Sequence, residues 1–238
     1  MEVTIVAPTY NEAENIEKFL EEVHAVLEKE KAKFELLVID DSSPDGTGEK
    51  ASEIAKRLKK VRVIKRNERG FGSALRRGYS EAKGKYIIAM DADFSHDPQD
   101  IPRILEKLRE GHDIVLGSRY VKGGRISNWT IFRRLESKVA GLLARTVLSL
   151  RTKDVTTGYR GYNTESLRKL ELMSEGYNIQ PEIVFKAENS GFNICEVPVI
   201  FKDRERGEAK LSGTSNFREV KEYIKLIFRM KASCSRNN

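Results

Sequence analysis

The sequence predicts an α/β protein built on a mostly parallel sheet flanked by helices. Three observations lead to that expectation. Over the first 118 residues, short apolar and β-branched runs alternate with segments of helical periodicity, the pattern of strands joined by crossover helices. Acidic residues cluster just past three of those runs, at Glu12, at Asp40-Asp41 and at Asp91 and Asp93. The 238 residues, 39% hydrophobic and 33% charged, are enough for a substantial core in an ordinary globular protein.

Strands are expected at residues 4–7, 34–39, 61–64, 86–90 and 113–116. Asn11 and Glu14 have capping-box spacing ahead of the first helix, where Ile16, Phe19, Leu20, Val23 and Leu27 form one apolar stripe. A helix should follow Asp45-Gly46-Thr47-Gly48, another should span residues 72–82, and a third should open near Pro98, which suits a first helical turn. After residue 118 the alternation weakens. A Gly- and Arg-rich loop is expected there, then a helix over 130–150, a strand over 193–201, a polar loop over 202–216 and an amphipathic basic helix over 217–231. The whole reads as one domain, 1–231, with halves 1–118 and 119–231 and a tail at 232–238.

The net charge of +7 calls for a negatively charged partner: nucleic acid, a phosphate ligand or anionic lipid. Residues 119–153 hold nine Lys or Arg and a single acid, Glu136, too one-sided for charge pairing along a helix. Two cysteines, Cys195 and Cys234, without a CxxC give neither a disulfide framework nor a zinc site. Met1 leads directly into a strand pattern with nothing like a signal peptide. The apolar stretch 139–150 is interrupted by Arg145 and falls short of the roughly 20 residues that cross a bilayer. A cytoplasmic protein that touches a membrane without spanning it is expected.

Ligands of an open parallel sheet bind at the carboxyl ends of its strands. There the sequence places Pro8-Thr9-Tyr10-Asn11-Glu12, Asp40-Asp41 and Asp91-Ala92-Asp93. Asp91 and Asp93, two apart on an extended segment, should project to one side and suit Mg²⁺ or Mn²⁺ bridging a diphosphate. Gly70-Phe71-Gly72 lacks the full GxGxxG because position 75 is Leu, so a tight turn beside a nucleotide is expected rather than a nicotinamide site. None of His24, His96 and His112 sits in a nucleophile-activating pattern, and His96 lies nearest the acids.

In this order the motifs PTYNE at 8–12, DDSSPDGT at 40–47, DADFSHDP at 91–98, GSRY at 117–120, NWTIFRR at 128–134, TTGYRGY at 156–162 and RERGEAKLS at 204–212 resemble the dolichol-phosphate mannose synthases, inverting family-two glycosyltransferases of the Rossmann-like GT-A fold. The resemblance implies a dolichyl (polyprenyl)-phosphate β-D-mannosyltransferase serving protein glycosylation, with GDP-mannose as donor. Carried over by motif, Pro8, Tyr10, Glu12, Ile39 and Asp41 would line the nucleoside pocket. Asp91 and Asp93 would serve the sugar diphosphate and its metal, with Ala92 giving backbone contacts and Ser95 as a third metal ligand. Arg204 and Lys210 would close over the diphosphate, while Arg119, Arg133 and Ser137 would hold the lipid phosphate. Some relatives have Gln at the place of Ser95 and Ser at the place of Ala209, which puts the Ser95 ligand in question.

The implied acceptor has an isoprenoid tail, so peripheral contact with a membrane surface follows, alone or through a separate anchoring subunit. Phe132, Leu135, Val139, Leu142 and Leu143, and Phe217, Ile224, Ile227 and Phe228, are the candidate contacts. For the first stripe burial in the core is the leading expectation, and for the second core and lipid stand even. UDP-glucose and UDP-GlcNAc remain alternative donors. A basic nucleic-acid-binding module is the rival from another class, and the acids at the strand ends argue against it.

Overall fold

The computed structural model describes residues 1–127, 131–202 and 224–232, with the side chains of 131–134 and 136 outside that description. β1 (Val3–Thr9), β2 (Phe34–Asp40), β3 (Val61–Lys65), β4 (Tyr86–Ala89) and β5 (Ile114–Ser118) arise from the five expected runs. They alternate with α1 (Ile16–Lys29), α2 (Thr47–Arg57), α3 (Phe71–Glu81) and α4 (Ile101–Arg109), the last preceded by a 3-10 turn at Pro98–Asp100. Beyond them come β6 (Arg125–Ile126), α5 (Ile131–Leu148), β7 (Arg160–Asn163), α6 (Thr164–Arg168), α7 (Ile179–Asn189), β8 (Ile194–Pro198) and β9 (Ile200–Phe201), and residues 224–232 are helical.

Among the described residues the main sheet has seven strands in the order β3-β2-β1-β4-β7-β5-β8. β7 alone runs antiparallel to its neighbours, between β4 and β5, which agrees with a mostly parallel sheet. Every residue of β2 is buried, as expected for a strand covered on both faces. Side-chain alternation then feeds two cores: Ile5, Ala7, Leu36 and Val38 join one face with α1, α2 and α4, while Val6, Leu37 and Ile39 join the other with α3, α5 and α7.

The structure departs from the sequence reading in several places. Asn11 lies at φ 54° and caps nothing, so the capping box does not form. The Glu12 carbonyl instead accepts the amides of Asn15 and Ile16 at 2.9 Å each, and Asn15 stands at the helix N-cap. The strand expected over 193–201 divides at Val199. β8 stays in the main sheet, and β9 pairs with β6 in a separate two-stranded sheet. β7, α6 and α7 were not expected.

α5 docks through Leu143, Ala144, Val147 and Leu148, and its other face turns outward. Leu135, Val139 and Leu142 are 57%, 56% and 62% exposed, so core burial fails for these three and holds in part for Leu143, while the Phe132 side chain lies outside the described residues. In the helix over 224–232, Ile227 and Met230 are buried while Ile224 and Phe228 are exposed. Phe217 and most of the expected 202–216 loop lie outside the described residues, as do the tail residues 233–238. No described helix is long and apolar enough to cross a membrane.

Helix α3 lies against the sheet through Gly78, where an added Cβ would stand 2.3 Å from Val6 Cγ1 and 3.3 Å from Ile39 Cγ1. Gly78→Ala is expected to lower stability by about 1–3 kcal/mol through overpacking, read as a lower midpoint in denaturant unfolding with the slope unchanged.

Candidate active site

The carboxyl ends of β1 and β2 are joined by side chains. Asn11 N–H donates to Ser43 Oγ at 3.0 Å, Glu12 N–H to Thr47 Oγ1 at 2.8 Å and Ala13 N–H to Asp45 Oδ2 at 2.9 Å. The 8–12 and 40–47 motifs therefore form one wall. Adjacent acids in it have separate tasks. Asp40 accepts from Thr9 and Ser43 inside the turn. Asp41 accepts from Arg66 Nε at 2.8 Å and from the Gly70 amide at 3.0 Å, tying the Gly70-Phe71-Gly72 turn to the same wall. The amides of Gly72 and Ser73 donate to the Glu175 carbonyl, so those donors are already engaged.

Of the residues proposed for a nucleoside, Pro8 and Tyr10 are half-buried at the wall, with the Arg69 guanidinium 4.5 Å from the Tyr10 ring centre. Glu12 is buried and accepts from Asn15 Nδ2 at 2.9 Å. The Ile39 side chain is wholly inside the core, which leaves only its backbone to face a ligand.

β4 ends at Ala89, before the acidic triplet, so Asp91 and Asp93 sit on a turning loop that includes Phe94 at φ 61°. The extended-strand argument for their common direction does not apply to this backbone. Ala92 packs in the core, Asp91 is about one-third exposed, and Asp93 is buried with its Oδ1 accepting the Ser95 amide at 3.0 Å. Ser95 Oγ is buried with no partner among the described residues. Two carboxylates and an unused hydroxyl form a hard-oxygen donor set that fits Mg²⁺ or Mn²⁺, ions that commonly take their remaining ligands from substrate phosphates and water. No larger cluster of His, Cys, Asp or Glu suited to a metal occurs among the described residues.

His96 is the neighbour that ties this loop to the rest of the site. Its Nδ1 accepts the Asp91 amide at 3.0 Å, and its ring stacks on Tyr159 at 4.9 Å and meets the edge of Phe201 at 5.3 Å. Burial lowers its pKa to about 4, with Asp93 opposing and Arg119 reinforcing the shift, so the ring is neutral at pH 7. Phe201 also lies 5.5 Å from the Arg119 guanidinium, which places the proposed acceptor side next to the proposed donor side. Lys202 N–H donates to the Ser95 carbonyl. The chain thus leaves the 91–95 loop just before Arg204 and Lys210, both outside the described residues.

Arg119 is buried against Asp154, a residue the sequence reading missed. Nε and Nη2 reach the two carboxylate oxygens at 2.8 and 2.7 Å, the backbone amide adds a third bond at 2.9 Å, and Nη2 also donates to Thr156 Oγ1. Burial disfavours both charges, but their mutual attraction outweighs it, raising Arg119 and lowering Asp154. Ser137 hydrogen-bonds the Tyr120 hydroxyl at 3.1 Å. Arg133 lies in the first turn of α5, its side chain outside the described residues. Gln180 and Gly158 also border Asp91. Gly158 falls in the TTGYRGY stretch, where nothing in the sequence marks it for a role, and Gln180 gives no signal because α7 has no clear helical pattern.

Residues 4–171 match the family model described as glycosyl transferase family 2. The chain belongs to that family. It is 40% identical to a dolichol-phosphate mannosyltransferase of Pyrococcus furiosus over 97% of this chain and 64% of that protein. It is also 40% identical to a polyprenol monophosphomannose synthase of Mycolicibacterium smegmatis, over 91% of this chain and 83% of that one. An undecaprenyl-phosphate mannosyltransferase of Micrococcus luteus is 38% identical over 90% of this chain and 88% of its own. The family-two glycosyltransferase shares its fold with mannosyl-3-phosphoglycerate synthase from Rubrobacter xylanophilus, at TM-score 0.70 and 20% identity over 100% of this chain and 74% of that one. Glucosyl-3-phosphoglycerate synthase from Mycobacterium tuberculosis, crystallised with Mn²⁺, UDP-glucose and phosphoglyceric acid, gives TM-score 0.72 at 21% identity over 97% and 80% of the two chains. The GT-A expectation holds.

Breaking the buried pair from one side strands a carboxylate. Arg119→Met should cost about 3–5 kcal/mol, and Arg119→Met with Asp154→Leu should recover most of it, measured by urea unfolding. Because Asp154 is lowered in the folded state, its stabilisation is complete above the unfolded carboxylate value and lost as pH falls through the folded one. The gap between wild type and the double variant should therefore narrow below about pH 4.

Proposed function

We propose that this glycosyltransferase moves mannose, with inversion, from GDP-mannose to a dolichyl or other polyprenyl phosphate at the cytoplasmic face of a membrane. The observation that carries the reading is the identity near 40%, over nine-tenths or more of this chain, to three proteins named for polyprenyl-phosphate mannose transfer. The chain spans 64% of the length of the Pyrococcus furiosus protein and more of the other two.

A phosphate monoester, with a second pKa near 6, is largely dianionic at neutral pH and is its own nucleophile. The site suits an acceptor that needs no protein base. His96 is neutral with Nδ1 already accepting a backbone amide. Glu182, the acid nearest Gln180 on α7, accepts the Met173 and Ser174 amides and pairs with Lys186.

The protein's contribution is then positioning and charge. Asp91, Asp93 and Ser95 would hold Mg²⁺ or Mn²⁺, which when bound offsets charge on the departing diphosphate. Pro8, Tyr10, Glu12 and Asp41 would hold the nucleoside along the β1–β2 wall, with Ile39 and Ala92 offering backbone. Arg204 and Lys210 would approach the diphosphate from the chain following Lys202. Arg119, oriented by Asp154, would face the lipid phosphate with Arg133 and Ser137. The exposed Leu135, Val139 and Leu142, beside Lys138, support contact with an anionic leaflet.

Asp93→Ala should lower mannose transfer by about 10²–10³ or more, and excess chelator should stop the wild type until Mn²⁺ or Mg²⁺ is restored. Product analysis with GDP-mannose, UDP-glucose and UDP-GlcNAc tests the donor, and transfer that persists in chelator sinks the metal role. Replacing Leu135, Val139 and Leu142 together by Ser should reduce flotation with anionic vesicles while GDP binding stays unchanged. Equal flotation of both proteins would remove this face from the contact.

A further inference from the structure

Gln180 stands in the first turn of α7, 3% exposed, and neither atom of its carboxamide has a hydrogen-bond partner among the described residues. Leaving an amide buried and unbonded is destabilising, and an apolar side chain of the same size would avoid that cost. Such a group is retained more readily where a ligand completes it. Its neighbour has the same property. His96 Nδ1 accepts the Asp91 amide, which leaves the proton of the neutral ring on Nε2, and that buried Nε2 has no partner among the described residues either.

The two side chains border a common space. A Cβ built on Gly158 would lie 3.3 Å from His96 Cε1, 3.7 Å from Asp91 Oδ2 and 3.9 Å from Gln180 Nε2. Gly158 is not among the positive-φ residues, so the turn does not demand glycine, and its missing side chain leaves room. The Asp91 carboxylate, about one-third exposed, borders the same point, and the sugar of a metal-held nucleotide sugar would lie on that side and would reach the two buried groups by displacing what covers them. The fittings there are mixed: donors on Gln180 Nε2 and His96 Nε2, and an acceptor on Gln180 Oε1. A phosphate only accepts hydrogen bonds, whereas each sugar hydroxyl both donates and accepts.

We propose that Gln180 reads the hexose of the donor by bonding one or two of its hydroxyls, with His96 as a second donor and Gly158 supplying the room. The inference rests on the transferase reading of the same site and adds the group that sets sugar choice.

The test pairs Gln180→Leu with donors that each lack one hydroxyl, and adds Gly158→Ala, whose methyl would stand 3.3 Å from His96 Cε1 and press on that ring. Gln180→Leu should leave the unfolding temperature unchanged or raised, because no described residue bonds that amide. GDP should bind both variants within about twofold of wild type. kcat/KM for the intact donor should fall about tenfold to a hundredfold in Gln180→Leu. One deoxy donor, handled about tenfold or more worse than its parent by wild type, should be handled no worse than the parent by that variant. Gly158→Ala should weaken turnover of the intact donor while sparing GDP.

The inference is overturned if the two losses multiply at every hydroxyl, if GDP binding falls as far as turnover, or if Gln180→Leu melts several degrees lower. Should wild type prefer another hexosyl nucleotide, the deoxy set is built on that sugar. The same comparison then decides the inference, and only the mannosyl reading falls.

Discussion

The arrangement of this site depends on a buried guanidinium. Arg160 is wholly inaccessible, and its Nε, Nη2 and Nη1 donate to the carbonyls of Thr157, Val155 and Gln180 at 2.7, 2.8 and 2.9 Å. Burying a cation is costly unless its donors are satisfied, and here backbone carbonyls satisfy three of them with charge-assisted bonds. The residue can do this because β7 enters antiparallel, with Arg160 opposite Ala89 of β4 and Leu116 of β5. One side chain thereby fastens the loop before β7 to the first turn of α7. Asp154 and Gly158 flank the segment it holds, and Gln180 supplies one of its carbonyls, so three groups bordering the candidate site share one anchor.

The other half of the site is fixed by a different device. Where parallel strands end, loop amides lose their ladder partners, and here Ser43, Asp45 and Thr47 of one loop accept the amides of Asn11, Glu12 and Ala13 in the other. The short polar residues at the end of β2 are therefore construction material for the β1 loop. Asp41 extends the same scheme to a third loop through Arg66 and Gly70. On the proposed reading, a nucleoside entering this wall would meet an acid already in a pair, so its binding energy would be set partly by how that pair rearranges.

The first half of the fold was legible because parallel strands buried on both faces leave continuous apolar runs, and all five appear within about two residues of expectation. β7 was not, because Arg-Gly-Tyr-Asn carries neither alternation nor a β-branched run, and its place is decided by the pairing of β4 and β5 around it. The Asn11–Glu14 spacing misled because a positive φ at Asn11 turns its side chain away from the capping role. Among the candidate residues, the acids were conspicuous in the sequence at the strand ends, although Asp40 and Asp41 prove to be engaged in holding the loops together. Asp154 and Gln180 could not be found that way: one matters through a cation 35 residues distant and the other through a helix the pattern did not reveal.

Charge shows the difference between composition and placement. The run from Arg119 to Lys153 is strongly basic in total, yet its first member is buried and neutralised by the acid that follows the run. Lys122, Arg125, Lys138, Arg151 and Lys153 are exposed. An internal pair is insensitive to salt, whereas exposed cations act over about a Debye length, roughly 8–10 Å at physiological ionic strength. On the proposed reading the same segment would therefore supply a rigid arginine for the acceptor and a screened, adjustable attraction to an anionic surface. The apolar side chains facing outward on α5 sit with the adjustable set, where shallow insertion would strengthen the proposed membrane contact that charge alone would leave weak at cellular salt.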